Sequence, residues 1–163
     1  FINCSLGIFF ARRILILSQK IFGAFFMSTV RLIPKKSLSS KILLIEDDLA
    51  FQESLKKILS REGYEVFTVD NGEDALEILK QDTFNIVITD IYLGCSGKVH
   101  GFDILDALYQ REKPIPIIVL SAFGDCGDYM DTAMKKGASL FLSKHVKKEV
   151  LLKAIQETLF PHP

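Results

Sequence analysis

The sequence predicts an α/β fold, a doubly wound five-stranded parallel sheet with helices on both faces. Three observations predict it. From Lys41 onward, short and nearly continuous apolar runs alternate with longer stretches of helical period. Runs of that kind suit parallel strands covered on both faces, whereas a half-exposed antiparallel strand alternates apolar with polar residues. Charged and hydroxyl residues gather where the apolar runs stop, at the edge where such sheets bind their ligands.

The first strand is expected over residues 42–45 (ILLI), ending in three consecutive carboxylates, Glu46, Asp47 and Asp48. A helix follows, because Phe51, Leu55, Ile58 and Leu59 share one face at 3.6-residue spacing. The second strand is expected over 64–69 (YEVFTV), and the acidic pair of "NGED" suits the start of a helix carrying Ala75, Leu76 and Leu79. The third strand, 85–89 (NIVIT), runs into Asp90, and Ile104, Leu105 and Leu108 mark the next helix. The fourth strand, 116–120 (PIIVL), is followed by Ser121, then by a helix with Tyr129, Met130, Ala133 and Met134 on its core face. The fifth, 138–142 (ASLFL), precedes Lys144 and a last helix with Leu151, Ala154, Ile155 and Leu159 inward. Right-handed crossovers leave few ways to connect such units.

Composition narrows the function. The chain has 163 residues, 48% of them apolar and 25% charged, which suits one globular domain with an extension. Its zero net charge conceals an asymmetry. Residues 1–40 hold six basic residues (Arg12, Arg13, Lys20, Arg31, Lys35 and Lys36) and no acidic ones, which leaves residues 41–163 at a net −6. A net-negative domain is a poor binder of nucleic acid, so none is expected as a partner. Cys4, Cys95 and Cys126 are odd in number and lack a CxxC spacing. They read as free thiols in a reducing, cytoplasmic compartment.

The first 26 residues are apolar but interrupted at Arg12, Arg13 and Lys20. They contain no run of the ~18–20 apolar residues that a membrane span needs. The chain begins with Phe1 and its first methionine is Met27, so residues 1–26 are expected to be upstream sequence outside the fold. A membrane contact is expected only if that segment is real and forms a basic surface helix. The expected division is an extension over 1–40 and a folded domain over 41–160.

The crowding after the first strand needs a physical reason. Two carboxylates about 4 Å apart repel by roughly 4 kcal/mol at an effective dielectric of about 20. One carboxyl stays protonated, the groups splay into water, or a cation sits between them. Asp48 also suits a helix cap before Leu49. If the first and third strands are neighbours, Asp90, Ser121 and Lys144 converge on the same rim. Carboxylates at that density suit a hard cation such as Mg²⁺. A hydroxyl and an ammonium beside them suit a phosphoryl group.

In the motifs ILLIEDD, GYEVFTVDNGEDALEIL, VITDIYL, GFDIL, PIIVLSAFGD and KKGASLFLSK, residues Lys41 to Leu159 resemble the receiver domain of two-component response regulators. The resemblance implies a flavodoxin-like sheet of order 2-1-3-4-5. It implies that Asp90 accepts a phosphoryl group, while Glu46 and Asp47 position Mg²⁺ with Asp90 and the backbone carbonyl of Tyr92. Ser121 would bond the phosphoryl oxygens, Lys144 would pair with them, and Phe141 would move inward from the surface as Ser121 shifts. The implied donor is a sensor histidine kinase or a histidine phosphotransfer protein. A downstream protein would read the face of the fourth helix, fifth strand and fifth helix. Such a chain is not an enzyme beyond catalysing its own phosphorylation and dephosphorylation. Because the chain stops at Pro163, just past the last helix, a stand-alone receiver is expected. The alternative is a receiver-like interaction module that is never phosphorylated.

Three features depart from the family. The loop "IYLGCSGKVHGF" places Gly101 eleven residues after Asp90, where eight is commoner, which predicts a longer and looser loop. His145 stands where a cis proline usually follows the lysine, so the Lys144 loop is expected either to shift around a trans bond or to retain strain. Tyr92 and Phe123 flank the phosphoryl position, and their rings predict slow loss of the phosphoryl group to water.

Overall fold

Each strand that the apolar runs mark out is followed by a helix whose buried stripe returns to the sheet. The computed structural model describes residues 39–94, 98–122 and 127–161. The elements are β1 (Lys41–Ile45), α1 (Leu49–Arg61), β2 (Glu65–Val69), α2 (Gly72–Gln81), β3 (Ile86–Thr89), α3 (Gly101–Tyr109), β4 (Ile117–Ser121), α4 (Gly127–Lys135), β5 (Leu140–Ser143) and α5 (Lys148–Leu159). Most of the extension expected over 1–40, all three cysteines and Phe123 lie outside the described residues.

The strands form one parallel sheet in the order β2-β1-β3-β4-β5. The two-residue period of a strand divides the core between the faces. Leu43, Ile45, Val87 and Val119 pack against α2, α3 and α4 through Ala75, Leu79, Ile104, Leu105 and Ala133. Ile42, Leu44, Ile88, Ile118 and Leu120 pack against α1 and α5 through Leu55, Leu59, Leu151 and Ile155. Burying one such aliphatic side chain stabilises the fold by about 1.5–3 kcal/mol.

Local differences from the sequence reading have local causes. Ser121 is the last residue of β4 rather than a residue beyond it. β5 begins at Leu140, not 138, because the Ala138 amide still donates to Ala133 at the end of α4 (3.0 Å). On α4, Ala133 is fully buried and Tyr129 packs on the core, but Met130 and Met134 face solvent at 42% and 47% exposure. A nine-residue helix over an edge of the sheet buries a narrow stripe, and the methionines fall outside it.

The loop after Asp90 is anchored rather than loose over the part described. The Lys98 amide donates to Glu73 at the start of α2 (2.8 Å), and Val99 packs on the core. Gly72 permits this, since a Cβ there would lie 2.4 Å from the Val99 carbonyl oxygen. The Lys98 amide, with the amides of Glu73 itself and Val99, holds the Glu73 carboxyl below the usual carboxylate range. The chain then returns to the site, where the Gly101 amide donates to Ile91 (2.9 Å). A Cβ on Gly101 would lie 2.1 Å from the Asp90 carbonyl oxygen, so only glycine permits this approach.

Gly101→Ala must displace the Asp90 backbone. Overpacking of this kind costs about 1–3 kcal/mol. Urea unfolding of the variant should show a loss of that size, and an unchanged midpoint would contradict the packing described.

Candidate functional site

The sheet register creates the site. Ile45 of β1 pairs with Thr89 of β3, so the next residues, Glu46 and Asp90, leave the sheet side by side. Neighbouring strands lie about 4.8 Å apart, which is the distance at which carboxylates repel strongly. Both are buried, Glu46 at 1% exposure and Asp90 at 7%. Asp47, the next residue, is exposed. The three still offer one carboxylate oxygen each within 4.8 Å of one another.

Lys144 resolves the crowding. Its Nζ lies 2.6 Å from Glu46 Oε1 and 2.7 Å from Asp90 Oδ2. Burial alone would push the lysine's pKa down, but hydrogen bonds and charge from Asp90 and Glu46 outweigh that and raise it. Burial raises the pKa of Glu46, against the opposing pull of Lys144. The lysine backbone is placed by β4, through the Lys144 amide and the Ser121 carbonyl (2.9 Å). The bond from Lys144 to His145 is trans, and the ammonium reaches both carboxylates with His145 in place of proline. The Phe51 ring lies 5.1 Å from Nζ, a cation–π contact that sequence reasoning missed by treating Phe51 as core alone.

Backbone amides also hold these acids and Asp48. Asp90 Oδ1 accepts the amide of Ile91 (2.6 Å), and Glu46 Oε1 accepts the amide of Asp48 (3.2 Å). Asp48 caps α1, its Oδ1 accepting the amides of Ala50 (3.0 Å) and Phe51 (3.1 Å). It lies outside the group of acids able to share a metal. Gln52, which the sequence reading passed over, reaches back from α1 to the carbonyls of Glu46 (2.8 Å) and Val69 (2.9 Å).

The other expected residues surround this centre. Ser121 is fully buried at the end of β4, the strand between those that deliver Asp90 and Lys144. Phe141 is buried at 9% exposure in the core on the α4 side, so in this structure the ring stands inside rather than at the surface. Tyr92 is 44% exposed two residues beyond Asp90, and its hydroxyl shares a 2.6 Å hydrogen bond with that of Tyr129. The rings of Tyr92 and Tyr129 meet edge-on at 5.9 Å.

The donor set fits a hard divalent cation. Its side-chain donors are all carboxylate oxygens, and a positive group already bridges two of them.

The fold and this rim of acids, lysine and serine define a class: a doubly wound α/β domain with a charged site at the carboxyl ends of its strands. The chain matches the response regulator receiver domain over residues 42–156 and belongs to that family. It is 32% identical over 115 residues to the response regulator protein FleR of Pseudomonas aeruginosa, covering 71% of this chain and 24% of that protein. It is 34% identical over 119 residues to the probable transcriptional regulator ycf27 of Cyanophora paradoxa, covering 73% and 48%. The chain thus spans about a quarter to a half of the length of these relatives. Among solved structures, the signal receiver domain of a putative Luxo repressor protein from Vibrio parahaemolyticus aligns with TM-score 0.68 at 28% identity, covering 75% of this chain and 91% of that one. The receiver domain of a sensor histidine kinase from Pseudomonas aeruginosa aligns with TM-score 0.66 at 24% identity, covering 74% and 98%. That domain has a magnesium ion coordinated in its active-site cleft. Among the described residues, no helix is long and apolar enough to cross a membrane.

Removing the ammonium leaves two buried carboxylates facing each other. Breaking a buried pair in this way costs about 3–5 kcal/mol. Lys144→Met in chelator should lose stability on that scale and regain part of it when Mg²⁺ is added. Wild-type stability in chelator would contradict the charge balance described.

Proposed function

We propose that this receiver accepts a phosphoryl group on Asp90 from a phosphohistidine, in a reaction that requires Mg²⁺. The observation that carries the reading is the ammonium of Lys144 seated between Glu46 and Asp90 beside the exposed Asp47. Glu46, Asp47, Asp90 and the Tyr92 carbonyl would hold the metal. When bound, Mg²⁺ supplies charge neutralisation for the transferring phosphoryl group.

The chain's own groups do the rest. The Ile91 amide holds Asp90 Oδ1, which fixes the carboxylate plane for in-line attack. A carboxylate oxygen of Asp90 forms the new O–P bond as the P–N bond to the donor imidazole breaks. The imidazole leaves with that electron pair and takes up a proton from water. Lys144 exchanges its contact with Asp90 for the phosphoryl oxygens, to which Ser121 donates its hydroxyl. Positioning and charge carry the step, so the domain is a phosphoacceptor that catalyses its own modification, not an enzyme with a separate product.

The donor would be a sensor histidine kinase or a histidine phosphotransfer protein in the cytoplasm. The product either relays the phosphoryl group or changes the face of α4, β5 and α5 read by a protein target. The net −6 charge of residues 41–163 favours a protein over nucleic acid as this domain's partner. That Lys144 reaches both carboxylates with His145 following it supports phosphorylation over the non-phosphorylated module.

Intact mass after incubation with a small acyl phosphate tests the reading. Wild type should gain one phosphoryl group with Mg²⁺ and none in chelator, and Asp90→Asn should gain none. An adduct that forms without a divalent ion, or survives in Asp90→Asn, would overturn it. Followed over time, the adduct should decay several-fold faster in Tyr92→Asn; an equal lifetime would remove the role of the Tyr92 ring in excluding water.

A further inference from the structure

We propose that Gln52 is a positioning residue that holds the acidic turn in the shape required by Mg²⁺ and so sets a preference for Mg²⁺ over Ca²⁺. The inference rests on the metal reading above but concerns a residue that reading does not use. Gln52 Nε2 donates to the carbonyl oxygens of Glu46 (2.8 Å) and Val69 (2.9 Å). Both partners are acceptors only, so the NH₂ end of the amide must face them, and each of its two hydrogens has a carbonyl.

The location of these bonds gives them their effect. Glu46 and Val69 stand at the carboxyl ends of β1 and β2, where the ladder stops after the Glu46 amide donates to Val69 (3.0 Å). The Gln52 side chain adds a cross-link just beyond that last rung. The same residue holds the other end of the turn, its backbone amide donating to the Asp48 carbonyl (2.8 Å). Glu46, Asp47 and Asp48 are therefore closed into a ring by one residue that binds no ligand itself. The Glu46 carbonyl is held by Gln52 and the Glu46 carboxylate by Lys144, which leaves the residue little freedom.

Rigidity matters differently to the two ions. Mg²⁺ demands near-octahedral geometry at about 2.0–2.1 Å, whereas Ca²⁺ tolerates irregular ligands at about 2.3–2.6 Å. Loosening the turn should therefore cost Mg²⁺ more. Loss of a partner that orients a ligand typically weakens metal binding about 10–100-fold.

The test titrates the whole chain, wild type and Gln52→Met, with Mg²⁺ and separately with Ca²⁺, following amide signals of the acidic turn by NMR. Methionine keeps the bulk of the side chain and loses both donors. The expected result is a Mg²⁺ affinity about tenfold lower or worse with a smaller change for Ca²⁺, so that the ratio of the two falls. A variant that loses only urea stability and keeps both affinities would overturn the proposal and reduce Gln52 to a structural brace. Wild type alone provides a second check, which needs no variant to fold. The Gln52 side-chain amide hydrogens should exchange with water much more slowly than those of the exposed Gln110. Equal exchange overturns the proposal. A wild type that binds neither ion overturns the metal reading instead, and this inference with it.

Discussion

The ammonium of Lys144 between the carboxylates of Glu46 and Asp90 is the interaction on which the rest of the site depends. The register of β1 against β3 forces the two acids together, and their burial denies them the screening that water provides. Without a cation at that point, the sheet would end in an uncompensated charge. Residues from β1, β3 and the end of β5 meet there, with β4 placing the lysine backbone, so four strands must be in register for the charges to balance. The three-charge arrangement is also chemically open. A lysine that contacts two carboxylates can give up one contact to an incoming phosphoryl oxygen and keep the other.

Residues around the acids hold them in place. Asp48 caps α1, Gln52 closes the turn from behind, and Gly101 brings the returning loop against the Asp90 carbonyl. Asp47 and Tyr92 are exposed, unlike Glu46 and Asp90. The Tyr92–Tyr129 hydroxyl pair links the loop after Asp90 to α4. On the proposed reading, a change at Asp90 would reach through that pair the helix whose outer face carries Met130 and Met134.

Much of this was legible in the sequence because it follows from local pattern. The two-sided apolar runs mark out the parallel strands, and the abrupt charges after Ile45, Thr89 and Ser143 mark the rim where the charged side chains meet. The strand order came from the family resemblance, since hydrophobic period alone does not choose among doubly wound orders. What escaped depends on side-chain reach across elements. Gln52 looks like any polar helix residue until β2 lies within reach of its amide, and Phe51 shows only its apolar character until Lys144 arrives from a distant part of the chain. Met130 and Met134 misled for the opposite reason, since helical period marks a face wider than a short edge helix buries. Length alone makes the loop after Asp90 look loose, while its attachment to Glu73 and Gly72 depends on where α2 begins.

On the proposed reading Asp90, and not a neighbouring acid, becomes the acyl phosphate. Borohydride reduction of the phosphorylated chain converts an aspartyl phosphate into homoserine, which peptide mass analysis can locate. Homoserine is expected at position 90 and at neither Asp47 nor Asp48. A reduced residue at either of those positions, or on Glu46 as the corresponding longer alcohol, would contradict it.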